Sequence, residues 1–126
     1  DNMSLPSVIL TGGIYHCGTG QGLRSAPVNK GHVLIVPKRY VTGFFEATFE
    51  EIAALNELAF TVKEIPDAKY SPDGYNIGIN SGAAAGQTIF YLHMHIIPRY
   101  KGDVTNPRGG IRKLMKNMAP YPAEGE

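Results

Sequence analysis

Two histidines separated by one residue, His93 and His95, are the side chains of this sequence best suited to chemistry. They lie in an otherwise mostly apolar stretch, residues 90–99, whose composition favours a β-strand. Because side chains of a strand point alternately to opposite faces, we predict that one face carries Tyr91, His93 and His95 and the core-facing side Leu92, Met94 and Ile96. A neutral imidazole is a nucleophile and proton carrier near pH 7, so this pair is suited to group transfer.

Two simpler explanations of the histidine pair remain open at this point. The sequence contains 4 histidines, so a His-x-His arrangement arises by chance in a fraction of such chains. Two imidazoles also suit a metal ion, but no Asp, Glu or Cys at a recognisable spacing completes a ligand set. We therefore predict no metal site.

A run of small residues leads into the histidine stretch. Residues 80–88 have the sequence Asn-Ser-Gly-Ala-Ala-Ala-Gly-Gln-Thr. Small side chains leave backbone N–H groups accessible, and Gln87 and Thr88 add donors, so this loop is suited to hold an anion beside the imidazoles. The alternative is a plain surface loop between two strands. His32, which follows Gly31, offers a third imidazole, and its alternative role is that of a hydrogen-bonded structural histidine.

The elements that must position these residues form an α+β pattern. Strands are predicted at residues 7–15, 33–36, 75–80 and 90–100. Thr48 and Glu51 have the spacing of a capping box at the start of a long helix, which we predict to run to Ile65 and to stop at Pro66. The predicted core-facing stripe of this helix comprises Phe49, Ile52, Leu55, Ala59 and Val62. This order of elements predicts a mainly antiparallel sheet.

Length and composition predict a single domain over residues 1–126, with an atypical segment at 1–26 and an irregular tail at 101–126 that includes a helical turn around 111–118. The 12 Lys and Arg residues nearly balance 11 Asp and Glu, which argues against binding to nucleic acid or a membrane through bulk charge. No apolar run approaches the roughly 18 residues of a membrane span. Cys17 is the only cysteine, so no internal disulfide is expected, and a cytoplasmic setting fits best.

Three segments of the sequence resemble a known family. Residues 86–99, Gly-Gln-Thr-Ile-Phe-Tyr-Leu-His-Met-His-Ile-Ile-Pro-Arg, resemble the motif of the histidine triad (HIT) superfamily, His-x-His-x-His-x-x with x apolar. Residues 27–39, Pro-Val-Asn-Lys-Gly-His-Val-Leu-Ile-Val-Pro-Lys-Arg, are similar to the first conserved block of that family. Residues 99–103 and 107–110 resemble the tails of its small bacterial and archaeal members. The likeness extends from about Pro27 to Arg112.

The resemblance implies a fold and a reaction. The HIT fold is an antiparallel sheet of about five strands with one long and one short helix, and the family usually forms homodimers; exposed Phe44 and Phe45 would suit such an interface. The implied reaction is hydrolysis or nucleotidyl transfer at the α-phosphate of a dinucleoside polyphosphate or a nucleoside phosphoramidate. No cofactor is obligatory for this reaction, although polyphosphate substrates carry Mg²⁺.

The resemblance also implies roles for individual residues. His93 corresponds to the nucleophile, which would form a nucleotidyl-histidine that water then cleaves. The other ring nitrogen of His93 should donate to a backbone carbonyl, so that the attacking lone pair faces phosphorus. His95 corresponds to the histidine that contacts phosphate oxygens, where preset donors stabilise developing charge. The implied substrate-binding positions are His32, Asn80, Gly86, Gln87 and Thr88.

The sequence departs from the family pattern at two positions. Tyr91 stands where the triad has its first histidine, the residue that organises the other two, and we count it among the catalytic candidates. Tyrosine is not a proton shuttle at neutral pH, so we expect activity that is retained but altered. The alternative is a weakly active or inactive nucleotide-binding or regulatory protein on the same fold. Arg24 occupies the usual position of an Asp or Asn that accepts hydrogen bonds from ribose, which arginine cannot do.

Overall fold

The antiparallel sheet is the centre of the fold. The computed structural model describes residues 28–115 and, as strand backbone alone, residues 8–11. The strands are β1 (Val8–Thr11), β2 (Val33–Pro37), β3 (Gly74–Gly78) and β4 (Met94–Arg99), in the spatial order β1-β2-β4-β3. The helices are α1 (Phe49–Val62) and α2 (Glu64–Tyr70). The prediction of an antiparallel α+β fold is confirmed, and the described residues supply four of the roughly five predicted strands.

Strand β2 lies in the middle of the sheet and is buried on both faces, as its unbroken apolar sequence predicts. Val33 and Ile35 belong to the main core beneath α1. Leu34 and Val36 point to the opposite face, where Ile89 and Tyr91 pack against them. The sheet therefore has a helix-covered face and a second face that also carries His95.

Strand β4 shows the predicted alternation over its own length. Its buried residues, Met94, Ile96 and Pro98, alternate with the half-buried residues His95, Ile97 and Arg99. The strand nevertheless begins at Met94 and not at residue 90. Tyr91 and His93 therefore precede the strand.

The late start of β4 has a physical cause in its partner strand. The register that pairs Ile35 with Met94 brings Pro37 opposite Leu92. The ladder ends at the Ile35–Met94 pair, and Pro37 has no N–H with which to resume it opposite Leu92. The N–H of Leu92 donates instead to the carbonyl of Val41, at 2.7 Å.

Helix α1 begins with the predicted capping box. The amide of Glu51 donates to Oγ1 of Thr48 at 3.0 Å, and the amide of Thr48 donates to Oε1 of Glu51 at 2.9 Å. The buried Glu51 carboxylate also accepts two hydrogen bonds from Arg39, from Nε and Nη2, each at 2.8 Å. These bonds lower the pKa of Glu51 to about 2.

The core stripe of α1 differs from the predicted one in lacking Phe49 and in including Leu58. Leu55, Leu58 and Val62 are buried, whereas Phe49 is 94% exposed. At 100° per residue, Phe49 lies about 120° around the helix axis from Leu55. Phe60, which is 81% exposed, lies on the same outer side as Phe49.

Pro66 does not stop the helical region, contrary to the prediction. The first helix ends at Val62, and Pro66 lies in the first turn of α2, where a missing N–H leaves no bond unmade. Helix α2 ends at Tyr70 and is followed by Ser71, whose φ of 51° is left-handed. None of the helices in the described part of the chain is long and apolar enough to cross a membrane.

One further expectation needs correction. Phe44 is half-buried against the main core, so of the two phenylalanines proposed for an interface only Phe45, at 80%, is largely exposed. The predicted helical turn around 111–118 is confirmed in its first part by a 3-10 turn at Gly110–Leu114, and residues 116–118 lie outside the described residues. Arg99 and Asp103 form an ion pair at 2.8 Å that ties the start of the tail to β4.

Candidate functional site

The three histidines of the described chain meet on the face of the sheet opposite α1. The ring centroids of His93 and His95 are 5.0 Å apart, and those of His32 and His95 are 5.1 Å apart. His32 is buried, whereas His93 and His95 are half-buried. The structure therefore brings together the three imidazoles that lie in two separate segments of the sequence.

Gly31 sets the position of His32. Its φ is +84°, which side-chain-bearing residues rarely adopt. A Cβ atom at Gly31 would lie 3.1 Å from Pro66, Pro98 and Tyr70, so the neighbours also leave no room for one. The glycine lets the chain enter β2 with the His32 ring directed at His95.

A chain of hydrogen bonds fixes which nitrogens of His32 and His95 carry protons. The amide of Val28 donates to Nδ1 of His32 at 3.1 Å, so Nδ1 is the acceptor and Nε2 of the neutral ring carries the hydrogen. Nε2 of His32 lies 2.9 Å from Nδ1 of His95 and donates to it. His95 therefore carries its own hydrogen on Nε2, where it can donate to a ligand.

His93 has the opposite tautomer. Its Nδ1 lies 2.8 Å from the carbonyl oxygen of Tyr91, which can only accept, so Nδ1 carries the hydrogen. The lone pair is then on Nε2. The expected hydrogen bond to a backbone carbonyl is present, and a ring nitrogen of His93 with a lone pair lies on the same face as the N–H of His95.

Burial keeps His32 and His95 neutral. Burial, the largest cause, and repulsion between cations on His95 and on the nearby His93 and His32 rings together lower the pKa of His95 to about 4. Burial also lowers the pKa of His32, with His93 the second cause. Both rings are therefore uncharged at neutral pH, as the tautomer assignment requires.

Tyr91 does not direct its hydroxyl at the histidines. Its Oη donates to the carbonyl of Pro37 at 2.8 Å, and its ring packs edge-on against Tyr40 at a centroid distance of 5.3 Å. The side chain thus fastens the segment before β4 to the end of β2. Its backbone carbonyl, in turn, holds His93.

The small-residue loop has fewer accessible amides than its sequence predicts. The amides of Ala85, Gly86 and Gln87 donate to carbonyls within the loop, around a 3-10 turn at Ala83–Ala85. The amide of Gly82 donates to Oε1 of Gln87 at 2.8 Å. Because these N–H groups donate within the turn, they are not available to an anion, as they would be in a more extended loop.

The side chain of Gln87 stabilises this loop through hydrogen bonds to the backbone. It is 5% exposed, and its Nε2 donates to the carbonyls of Thr42 at 2.7 Å and Ile89 at 3.0 Å. Both amide hydrogens of Gln87 are therefore used within the protein, and the side chain holds the loop in place. Asn80 and Thr88 are exposed, and Gly86 has a φ of +96° that side chains disfavour.

No group of three or more His, Cys, Asp or Glu side chains within residues 28–115 has a metal-binding arrangement. His32 and His95 are hydrogen-bonded to each other through the nitrogens that a shared metal would occupy. In this geometry His32 and His95 form a hydrogen-bonded chain whose proton positions are defined.

Comparison with known proteins identifies the family. Residues 22–102 match the HIT domain family. This chain belongs to the HIT family. The HIT match covers β2, both helices, β3 and β4, and so includes all three histidines.

Similar HIT proteins include enzymes. The chain is 40% identical over 94 residues to a bis(5'-adenosyl)-triphosphatase of Dictyostelium discoideum, which covers 75% of this chain and 63% of that protein. It is 36% identical over 91 residues to an asymmetrical bis(5'-nucleosyl)-tetraphosphatase of Schizosaccharomyces pombe, which covers 72% of this chain and 50% of that protein. The matches thus span between half and two thirds of these relatives.

A solved structure supports the HIT fold. A hypothetical histidine triad nucleotide-binding protein of Sulfolobus tokodaii superposes with a TM-score of 0.64 at 29% identity, over 82% of this chain and 62% of that one. The chain therefore has the HIT fold in its described part.

Sequence reasoning missed the residues that act through the backbone. The amide of Val28 and the carbonyl of Pro37 carry no side-chain pattern that would reveal them.

Proposed function

We propose that this chain is a nucleotide hydrolase or nucleotidyl transferase that acts at an α-phosphate. The substrate class is a dinucleoside polyphosphate or a nucleoside phosphoramidate. The observation that carries the proposal is the hydrogen bond from Nδ1 of His93 to the carbonyl of Tyr91, at 2.8 Å, which leaves the Nε2 lone pair available to attack. The named activities of the similar HIT enzymes support the same substrate class.

The mechanism follows from the two tautomers. Nε2 of His93 attacks phosphorus, the N–P bond forms, and the leaving group departs with the electron pair of the broken bond. Nε2–H of His95 donates to a phosphate oxygen and stabilises the developing negative charge. Water then attacks the phosphorus of the nucleotidyl-histidine, losing a proton as the N–P bond breaks. In a transferase another acceptor replaces water.

Tyr91 in this proposal is a structural substitute for the first histidine of the triad. It positions His93 through its carbonyl, while its hydroxyl is committed to Pro37. Since neither bond requires a proton shuttle, tyrosine is compatible with turnover. We propose that activity is retained and that the leaving group receives its proton from solvent or from another group.

The test is intact-protein mass spectrometry after rapid, acid-free quenching. Wild-type protein and the variants His93→Ala and Tyr91→His are mixed separately with adenosine phosphoramidate and a diadenosine polyphosphate. We expect an adenylyl adduct on the wild type that is absent from His93→Ala. An adduct and product seen only in Tyr91→His would instead identify the natural protein as a nucleotide binder on an enzyme scaffold.

None of the steps of the proposed mechanism uses a metal ion held by the protein. Mg²⁺ enters with the polyphosphate substrate and screens its charge. EDTA is therefore expected to leave phosphoramidate turnover unchanged and to slow only polyphosphate turnover. Loss of phosphoramidate turnover in EDTA, restored by added metal, would contradict this part of the proposal.

We also propose that the protein acts as a homodimer through the outer face of α1. Phe49 and Phe60, at 94% and 81% exposure, lie on this face with Ala53 between them. Two large aromatic residues exposed to solvent favour burial against a second copy. The double variant Phe49→Ser, Phe60→Ser should be monomeric by light scattering coupled to size-exclusion chromatography, whereas the wild type should be a dimer.

A further inference from the structure

The turn of residues 28–32, which carries His32, is held by residues at the end of β4. The turn closes through the amide of His32, which donates to the carbonyl of Asn29 at 3.2 Å. Val28, whose amide donates to Nδ1 of His32, is 69% exposed, so packing of its own side chain does little to hold that amide in place. Within the described residues, the position of the Val28 amide therefore depends on how the turn is attached to the rest of the fold.

The side chain of Asn29 makes this attachment. Its Nδ2 donates to the carbonyl of Pro98 at 3.1 Å and to Oδ2 of Asp103 at 2.8 Å. An amide nitrogen has two hydrogens, so both are used. Asn29 thus joins the turn before β2 to the end of β4, and these two segments carry His32 and His95.

Asp103 is a well-fixed acceptor for Asn29. Its side chain is 15% exposed and accepts two hydrogen bonds from the Arg99 guanidinium, each at 2.8 Å, and one from the amide of Tyr100 at 2.9 Å. Arg99, the Tyr100 amide and Asn29 hold the pKa of Asp103 well below its usual range, so its carboxylate is charged at neutral pH. Hydrogen bonds to a charged acceptor are stronger than those between neutral groups. The bond from Asn29 to Asp103 is therefore suited to hold the turn in one position.

Lys30 attaches the turn to the same segment. The hydroxyl of Tyr100 donates to the carbonyl of Lys30 at 2.8 Å, and Nζ of Lys30 lies 4.9 Å from the centroid of the Tyr100 ring. Two consecutive residues of the turn, Asn29 and Lys30, therefore contact residues 98–103. The attachment through Asn29 is the one that a side-chain substitution removes.

We propose that Asn29 and Asp103 are positioning residues of the site. They hold the Val28 amide against Nδ1 of His32 and thereby keep the hydrogen of His95 on Nε2. Both residues act through the tautomer of His95 and not through contact with phosphorus. Their effect on the tautomer is independent of the reaction, whereas their effect on turnover rests on the proposed function.

Two-bond ¹⁵N–¹H correlation spectra of the ligand-free protein at pH 7 test this role. Asn29→Ala removes both side-chain hydrogen bonds, and we expect the share of His95 that is protonated on Nδ1 to rise by about fivefold or more. Hydrogen exchange of the Val28 amide should accelerate by about the same factor. His93 should keep its hydrogen on Nδ1, because the carbonyl of Tyr91 still accepts it.

Asp73→Ala is the matched control. Asp73 accepts from the amide of Lys101 at 2.8 Å and so holds the same segment from the β3 side. We expect wild-type tautomers and wild-type exchange in this variant. Asp103→Ala should reproduce the change at His95, whereas Asp103→Asn, which keeps an oxygen acceptor for Asn29, should retain more of the wild-type tautomer. Urea unfolding identifies any variant that is not folded.

A double variant shows whether the effect passes through His32. In His32→Ala protein, the further change Asn29→Ala should leave the tautomers of His95 as they are. An additional change there would overturn the proposal. The same conclusion would follow from a wild-type His95 tautomer in folded Asn29→Ala and Asp103→Ala, or from a change of equal size in Asp73→Ala.

Single-turnover formation of the nucleotidyl adduct separates this proposal from the proposed function. It should slow by about fivefold or more in Asn29→Ala and remain unchanged in Asp73→Ala. The expected tautomer change in a protein whose wild type forms no adduct would support the positioning residues and contradict the proposed function. Adduct formation in the wild type with no tautomer change in Asn29→Ala would do the reverse.

Discussion

Nε2 of His32 and Nδ1 of His95 lie 2.9 Å apart, although 63 residues separate them along the chain. Since the Val28 amide makes Nδ1 of His32 an acceptor, this single contact determines that His95 directs an N–H toward a ligand. The same proton order excludes a second nucleophile at Nε2 of His95. The different tautomers of His93 and His95 therefore follow from hydrogen bonds that begin at the backbone of Tyr91 and of Val28.

The tautomers themselves can be measured. We expect two-bond ¹⁵N–¹H correlation spectra at pH 7 to show His93 protonated on Nδ1 and His32 and His95 protonated on Nε2. His32→Ala should remove the donor to His95 and allow its other tautomer to appear. His93 should remain unchanged in that variant, because Tyr91 still accepts its proton. A mixture of His95 tautomers in the wild type would contradict the order of hydrogen bonds that runs from Val28 through His32 to His95.

The hydroxyl of Tyr91 should contribute to stability and to the placement of His93. Tyr91→Phe removes the bond to the carbonyl of Pro37 and is expected to lower the free energy of unfolding by about 1 kcal/mol. We also expect slower adduct formation, since the segment that holds His93 loses an anchor. Tyr75→Phe is the control: it removes a hydroxyl that donates to Asp67 at 2.6 Å, on the α2 side of the fold. Urea unfolding and single-turnover rates distinguish the two, and an equal slowing of adduct formation in both would remove the special role of Tyr91.

Because the pKa of His95 is lowered in the folded protein, we expect the free energy of unfolding to depend on pH. Its folded pKa is about 4, below the ordinary 6.5, because burial disfavours the cation. Below pH 6.5 the unfolded chain binds a proton at this residue that the folded protein does not. The free energy of unfolding should therefore fall as the pH drops from 6.5 to about 4, and this residue should add no further loss below that. His95→Gln should have a shallower slope in urea titrations over this range; an unchanged slope would assign the effect to other groups.

Glu51 should give a slope of the same sign at lower pH. Its folded pKa of about 2 lies below the ordinary 4.5, mainly because Arg39 and the Thr48 amide bind the carboxylate. Its contribution is complete above pH 4.5 and is lost as the pH falls toward 2. Glu51→Gln should lower the free energy of unfolding by about 1–3 kcal/mol at pH 7 and by much less near pH 2.

The neighbouring exposed carboxylate of Glu50 provides the control for this variant. Glu50→Gln should change the free energy of unfolding by no more than about 0.5 kcal/mol at either pH. A loss in Glu51→Gln that is the same at pH 7 and pH 2 would show that the carboxylate charge is not its cause.

A methyl group at Gly31 should disturb both stability and the site. Gly31→Ala forces a side chain into a left-handed φ and within 3.1 Å of three neighbours, and we expect a loss of about 1–3 kcal/mol in the free energy of unfolding. Because Gly31 leads directly into His32, nucleotide turnover should fall as well. Gly74→Ala, in open space, should have little effect on either. Normal stability in Gly31→Ala, measured by urea unfolding, would contradict the packing described for this glycine.

The sequence by itself determined the features that depend on neighbours along the chain. The capping box of Thr48 and Glu51 forms because residues three apart meet at a helix start. The alternation of β4 holds because a strand has a period of two, which placed Met94 in the core and His95 on the other face. The family motif located the histidines for the same reason, since its residues are adjacent in sequence.

The tertiary structure decided the features that depend on contacts between distant segments. Pro37 lies opposite Leu92 only through the register of β2 with β4, and Phe49 is exposed because the core contacts begin later on α1. Three further features likewise need a partner from elsewhere in the chain. They are the proton order of His32 and His95, the hydrogen bond from Tyr91 to Pro37, and the pocket between the sheet and residues 104–114. A hydrogen bond acts over about 3 Å, so its partners are determined only once the chain has folded.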